Sequence, residues 1–237
     1  MIAEVDGRER QAVDHVARTI RERGYIQTGK RGGGAAAMTV RDAVNLLIAL
    51  NGADSAKEGP LAIDRFRSLR PYFAGTAKHL RDRIEEIDRA PGGMQDVMDS
   101  HTFGEALETL VEGVPDLLAS FSAYAKECYP KGDLFGLLRL GAFGVDVVFD
   151  RYAASIELFT MHGSERRVEC EAHFITDPDR RNSGFYGEGP ADRRVRVTIG
   201  FLTLLAACRA TLSAANVERQ SAITEPDPSG QPEEPKA

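Results

Sequence analysis

Six cations gather around one glycine-rich stretch of this sequence. Residues 21–47 read RERGYIQTGKRGGGAAAMTVRDAVNLL, with Lys30 and Arg31 directly before Gly32-Gly33-Gly34. Arg18, Arg21 and Arg23 come before the loop and Arg41 after it. Arg18 and Arg21 are three apart, so on a helix they share a face. The glycines let backbone N–H groups come close to a phosphate. Arg41 falls in the first turn of the next predicted helix, whose N-terminus also favours an anion. These residue types at this spacing suit a nucleic-acid backbone, held by salt-dependent contacts that carry no sequence information. Tyr25 and Gln27 can add contacts to bases or sugars. Two other readings stay open: a protein-interaction surface, and a solvated face with a flexible loop and no special role. The loop is not a phosphate-binding P-loop, because G-x-x-x-x-G-K-[ST] is missing and no strand is predicted before it.

Signals for catalysis are sparse. The five histidines are His15, His79, His101, His162 and His173. None lies in HExxH, and no serine lies in GxSxG. Cys170, Glu171 and His173 fall in a predicted strand, where 171 and 173 share one face and Cys170 takes the other. That separates thiol from imidazole, so nucleophile and base would not meet. Asp146 and Asp150, in DVVFDR, would share one side of a strand and could hold Mg²⁺ as nucleases do. Their ordinary reading is a surface residue and a turn residue. Cys128, Cys170 and Cys208 are odd in number and contain no CxxC pair, so no disulfide, structural metal or cofactor is expected. The expectation is a protein that is not an enzyme.

These groups need a scaffold, and the 237-residue chain is long enough for one large domain or two small ones. It is 42% hydrophobic and 28% charged, a composition of globular chains rather than disordered or fibrous ones. No apolar run reaches the length of a membrane span. The N-terminus lacks a basic region followed by an apolar run, so a cytoplasmic location is expected. The net charge of −6 is unevenly spread. Residues 1–75 hold 12 Lys/Arg against 9 Asp/Glu, and residues 76–237 hold 18 against 27. Only the first part favours a polyanion.

Val13, Val16, Ala17 and Ile20 form one stripe of a helix over about 7–23, and Gly24 suits its left-handed stop. Tyr25 and Ile26 read as a short extended pair. Thr39 and Asp42 form an acidic variant of the capping box for a helix over 40–50, with Ala43, Leu46, Leu47 and Leu50 on one face. Further helices are predicted over 61–69, ended by Pro71, over 76–88, over 103–112, and over 115–127, where Pro115 suits a first turn. Pro91-Gly92-Gly93 is a break. Residues 134–144 are apolar and ambiguous. Period-two alternation then runs through Val145, Val147 and Phe149, and through Ile156, Leu158 and Thr160. After His162-Gly163-Ser164 it resumes through Val168, Cys170, Ala172 and Phe174, predicting a β-hairpin. Residues 177–194 read as a polar loop, 194–198 as another strand, and 199–213 as a buried helix. The Pro-rich acidic end reads as a disordered tail.

The order of features over residues 10–50 resembles the wing half of winged-helix modules of the MerR and excisionase kind. The matching residues are Arg21, Glu22, Arg23, Gly24, Tyr25, Ile26, Lys30, Arg31, Gly32, Gly33, Thr39, Asp42, Leu46 and Leu47. The chain departs from that family in having one helix, not two, before Gly24, and in lacking a long dimerisation helix. It also resembles proteins of alphaproteobacterial prophages and mobile elements. The resemblance implies a DNA-binding transcription regulator or phage-related accessory factor, with Arg18, Arg21, Arg23, Tyr25, Gln27, Lys30, Arg31 and Arg41 at the DNA. The expected fold is α+β. A helical DNA-binding module spans 1–90, an α+β unit with a small antiparallel sheet and a packed helix spans 94–216, and the tail spans 217–237. Expected partners are DNA, a second copy of the chain, or a protein at the C-terminal sheet, with no membrane. The alternative is an assembly protein that binds no nucleic acid.

Overall fold

The computed structural model describes residues 7–27, 38–76, 93–150, 152–176 and 196–224. Lys30 and Arg31, nearly all of the predicted 76–88 helix, the whole 177–194 loop and the chain beyond 224 lie outside those residues. The fold is α+β. In chain order come α1 (Arg10–Glu22), α2 (Val40–Asn51), a 3₁₀ turn (Ala56–Glu58), α3 (Gly59–Arg67), β1 (Arg70–Thr76), α4 (Met94–Met98), α5 (Phe103–Glu112), α6 (Val114–Cys128) and α7 (Leu134–Arg139). Then follow β2 (Phe143–Phe149), β3 (Ala153–His162), β4 (Glu165–Ile175), β5 (Val197–Gly200) and α8 (Phe201–Thr224).

The five strands form one antiparallel sheet ordered β1-β4-β3-β2-β5. The β3–β4 hairpin turns at Gly163-Ser164, where Gly163 has φ +64 and, among the described residues, no non-glycine residue has positive φ. A positive φ at the first central residue alone is the type II′ pattern, whose twist matches the flanking strands. Alternation puts Cys170, Ala172 and Phe174 on the buried face of β4.

The helices cover that face through aromatic contacts. Phe66 of α3 and Phe103 of α5 meet Phe149 of β2 edge-on, with centroids 5.3 Å and 5.6 Å away, and Phe103 also meets Phe174 of β4 at 5.6 Å. A second group joins Phe121 of α6 to Phe143 of β2 at 5.2 Å and to Phe201 of α8 at 4.9 Å. Such pairs add about 0.5–1.5 kcal/mol beyond the area they bury.

The expected one-sided stripe on α2 is corrected. Every residue from Asp42 to Asn51 is buried, because α1, α3, α5, α8 and β5 surround this helix. Apolar residues all round mark a helix enclosed by the protein. At its end Gly52 sits under Phe66, where an added Cβ would lie 2.4 Å and 2.7 Å from ring carbons. Gly52→Ala is expected to cost about 1–3 kcal/mol by overpacking, read as a lower thermal midpoint. An unchanged midpoint would show that the Phe66 ring can move aside.

Pro71 does not simply end a helix. It lies in β1, an edge strand antiparallel to β4, with a register shift between Pro71 and Phe73. An edge tolerates a residue with no N–H, and a bulge absorbs the misfit. Because β1 is hydrogen-bonded to β4, the sheet crosses the boundary expected near residue 90, and one apolar core takes residues from both expected units. The C-terminal helix, buried over its first turns, runs to Thr224, past residue 217, where the tail was expected to start. Among the described residues no helix is long and apolar enough to cross a membrane.

Candidate nucleic-acid interface

The stems of the basic loop are fixed by local chemistry. At the end of α1 the Gly24 N–H donates to the Arg21 carbonyl at 3.0 Å and the Tyr25 N–H to the Ile20 carbonyl at 3.0 Å. With Gly24 at φ +82, these bonds form a Schellman motif. Tyr25 and Ile26 are therefore a bend following the cap, not the expected extended pair. Asn45 Nδ2 donates to the Tyr25 carbonyl at 2.8 Å and fixes the bend to α2.

At the start of α2 the capping box is present: Thr39 Oγ1 accepts from the Asp42 N–H at 3.1 Å, and Asp42 Oδ2 accepts from the Thr39 N–H at 3.1 Å. Asp42 Oδ1 also accepts from the Gln27 N–H at 3.1 Å. One carboxylate, 3% exposed, thus joins both stems of the loop. This corrects the expected anion site at the helix N-terminus, which is already taken up by the chain's own carboxylate.

A cleft of about 570 Å³ opens beside these stems, lined in part by Tyr25, Gln27, Thr39, Arg41, Asp64 and Arg67. Tyr25 Oη donates to Asp64 Oδ2 at 2.7 Å. Behind the cleft, Arg67 Nη1 donates to Asn45 Oδ1 at 3.0 Å and Nη2 to Glu108 Oε1 at 2.5 Å. The side chain that holds the Tyr25 bend is thus itself held, through Arg67, to α5.

The hydrogen bond to Asp64 raises the Tyr25 pKa above its ordinary value, with burial and the Asp64 charge acting the same way and Arg23 opposing them. A phenol whose folded pKa is raised contributes stability that is whole below about pH 10 and is lost as pH rises through the folded value. Asp64→Asn is expected to move the Tyr25 transition toward 10 in an absorbance titration of tyrosinate, with Tyr25→Phe identifying that transition. No movement would mean that the Asp64 contact does not govern the phenol.

The expected site residues separate into three groups. Tyr25, Gln27 and Arg41 meet at the cleft. Arg18 and Arg21 lie on the exposed side of α1, opposite buried Val13 and Ile20, and Arg23 is its C-terminal cap. Lys30 and Arg31 lie outside the described residues. Among the described residues, the guanidinium groups of Arg18, Arg21, Arg23 and Arg41 have no ion-pair partner, and all four side chains are exposed. Asn45, Asp64 and Arg67 were not among the residues expected at the site. Asp64 and Arg67 flank buried Phe66, and nothing in their spacing separates them from an ordinary polar helix face.

The other chemical candidates do not assemble. Cys170 is fully buried on the inner face of β4, and burial pushes its thiol up to about 12. His173 is part-exposed with Nε2 2.9 Å from Glu171 Oε2. β2 ends at Phe149, so Asp146 and Asp150 do not share a strand. Arg166 ties Asp146 to Glu157 through contacts of 2.9 Å to each. No group of three or more potential ligands that could hold a metal occurs among the described residues. No family model, no curated protein and no solved structure matches this chain.

Proposed function

We propose that this chain is a DNA-binding protein without catalytic activity, a regulator or accessory factor of a phage or mobile element. It engages phosphates through Arg18, Arg21, Arg23, Lys30, Arg31 and Arg41. The observation that carries this reading is four exposed arginines, Arg18, Arg21, Arg23 and Arg41, without an ion pair among the described residues, near helix ends that Asp42 joins on either side of residues 28–37. Guanidinium groups with no ion pair among the described residues keep their donors for phosphate oxygens. The resemblance of residues 10–50 to winged-helix modules agrees with this use of the loop.

Gel retardation by the full-length protein tests it. Retardation of a labelled duplex is expected at low salt, and Lys30→Ala/Arg31→Ala weakens it for every sequence tried. A stable self- or hetero-complex in light scattering, with no retardation at any salt concentration, would replace this reading with a protein-interaction role.

A further inference from the structure

The cleft beside the loop stems carries a more specific reading, which rests on the DNA-binding function above. Its volume of about 570 Å³ lies within the roughly 300–1,000 Å³ of sites that enclose small ligands. Among the described residues its lining combines one aromatic ring, a cation without an ion pair and a half-used carboxylate, beside Asp42 and Arg67, which are engaged internally. The ring is Tyr25, held at both ends: its carbonyl accepts from Asn45 and its hydroxyl donates to Asp64. The cation is Arg41, exposed at the cleft and without an ion pair among the described residues. The carboxylate is Asp64, whose Oδ2 takes the Tyr25 hydroxyl and whose Oδ1 has no partner among the described residues.

A carboxylate accepts only, with about four lone-pair positions over its two oxygens. It therefore selects a ligand edge with hydrogen-bond donors. Among the natural bases, guanine alone presents two adjacent donors, N1–H and the 2-amino group, on its Watson–Crick edge. Thymine offers one N–H between two carbonyls, and adenine and cytosine each offer a single amino group there. In a duplex that edge is paired, so only an unpaired guanine can offer it. Aromatic rings beside such bases are the usual stacking platforms of single-strand recognition.

We propose that the cleft receives one unpaired guanine of a single-stranded nucleic acid. Asp64 accepts from N1–H and the 2-amino group, the Tyr25 ring packs on the base, and Arg41 takes an adjoining phosphate. Asn45 and Arg67 are positioning residues, since they hold Tyr25 through a chain of hydrogen bonds that ends on Glu108.

The test compares two fluorescein-labelled single strands, (GT)₆ and (IT)₆, with the full-length protein by anisotropy at about 50 mM salt. Inosine keeps N1–H and loses only the 2-amino group, so the comparison needs no change to the protein. The (GT)₆ strand is expected to bind about tenfold tighter, the worth of one hydrogen bond to a charged group. Asp64→Asn should erase the preference with circular dichroism unchanged. Equal binding of the two strands would overturn the guanine site while leaving backbone binding intact. No binding of either strand, nor of a duplex, would overturn both.

Discussion

Raising salt from about 50 to about 200 mM is expected to weaken DNA binding by about a thousandfold. Each neutralised phosphate contributes about −0.9 to the slope of log affinity against log salt, so six cations give a slope near −5. A fourfold rise in salt then removes about three decades. Hydrogen bonds to a base edge are far less sensitive to salt, so the slope measures the phosphate contacts alone. Lys30→Ala/Arg31→Ala should reduce its magnitude by about two, one for each cation removed. A slope near zero in wild-type protein would sink the reading. Residues 76–237 carry the excess of acid, so a positive patch must be local to act at all. The absence of internal partners for Arg18, Arg21, Arg23 and Arg41 among the described residues makes that local action available.

Phe103→Ala is expected to be the most damaging single change to stability, at about 3–5 kcal/mol. Phe103 is fully buried and meets Phe66 at 6.2 Å, Phe149 at 5.6 Å and Phe174 at 5.6 Å, rings from α3, β2 and β4. Its N–H also donates to the Leu69 carbonyl at 3.0 Å, fixing the start of α5 against the end of α3. Removing the ring leaves a cavity with walls on both helices and both strands, which cannot all collapse inward together. Against a total stability of about 5–15 kcal/mol, the loss consumes a large fraction of the margin. It is read as a fall in the urea midpoint, while Phe103→Leu, which keeps most of the volume, should cost less than half as much. Equal midpoints for wild type and Phe103→Ala would mean that the aromatic group does not hold helices to sheet.

The helix ends were readable because their signals are local. Gly24 stops α1 in the left-handed region, and Thr39 with Asp42 starts α2 through a capping box. The hairpin at Gly163 was readable for the same reason: alternation on either side of a glycine turn needs no distant partner. The all-round burial of α2 was legible only in part: Val44, Ile48 and Ala49 put apolar residues off the stripe of Ala43, Leu46, Leu47 and Leu50, but which elements cover them is settled by packing. β1 escaped notice because RPYFAGT becomes a strand only by pairing with β4, whose Ile175 and Phe174 stand opposite Arg70 and Pro71.

The cleft divides along the same line. The amino-acid order alone determined that cations flank a glycine-rich loop, and that capped helices bracket it, since both follow from residue types within a few positions of one another. Tertiary structure alone decided that Tyr25 meets Asp64 across 39 positions and Arg67 meets Glu108 across 41. Such meetings depend on how α1, α3 and α5 pack around a common buried helix, and packing is settled by the shape of the whole core.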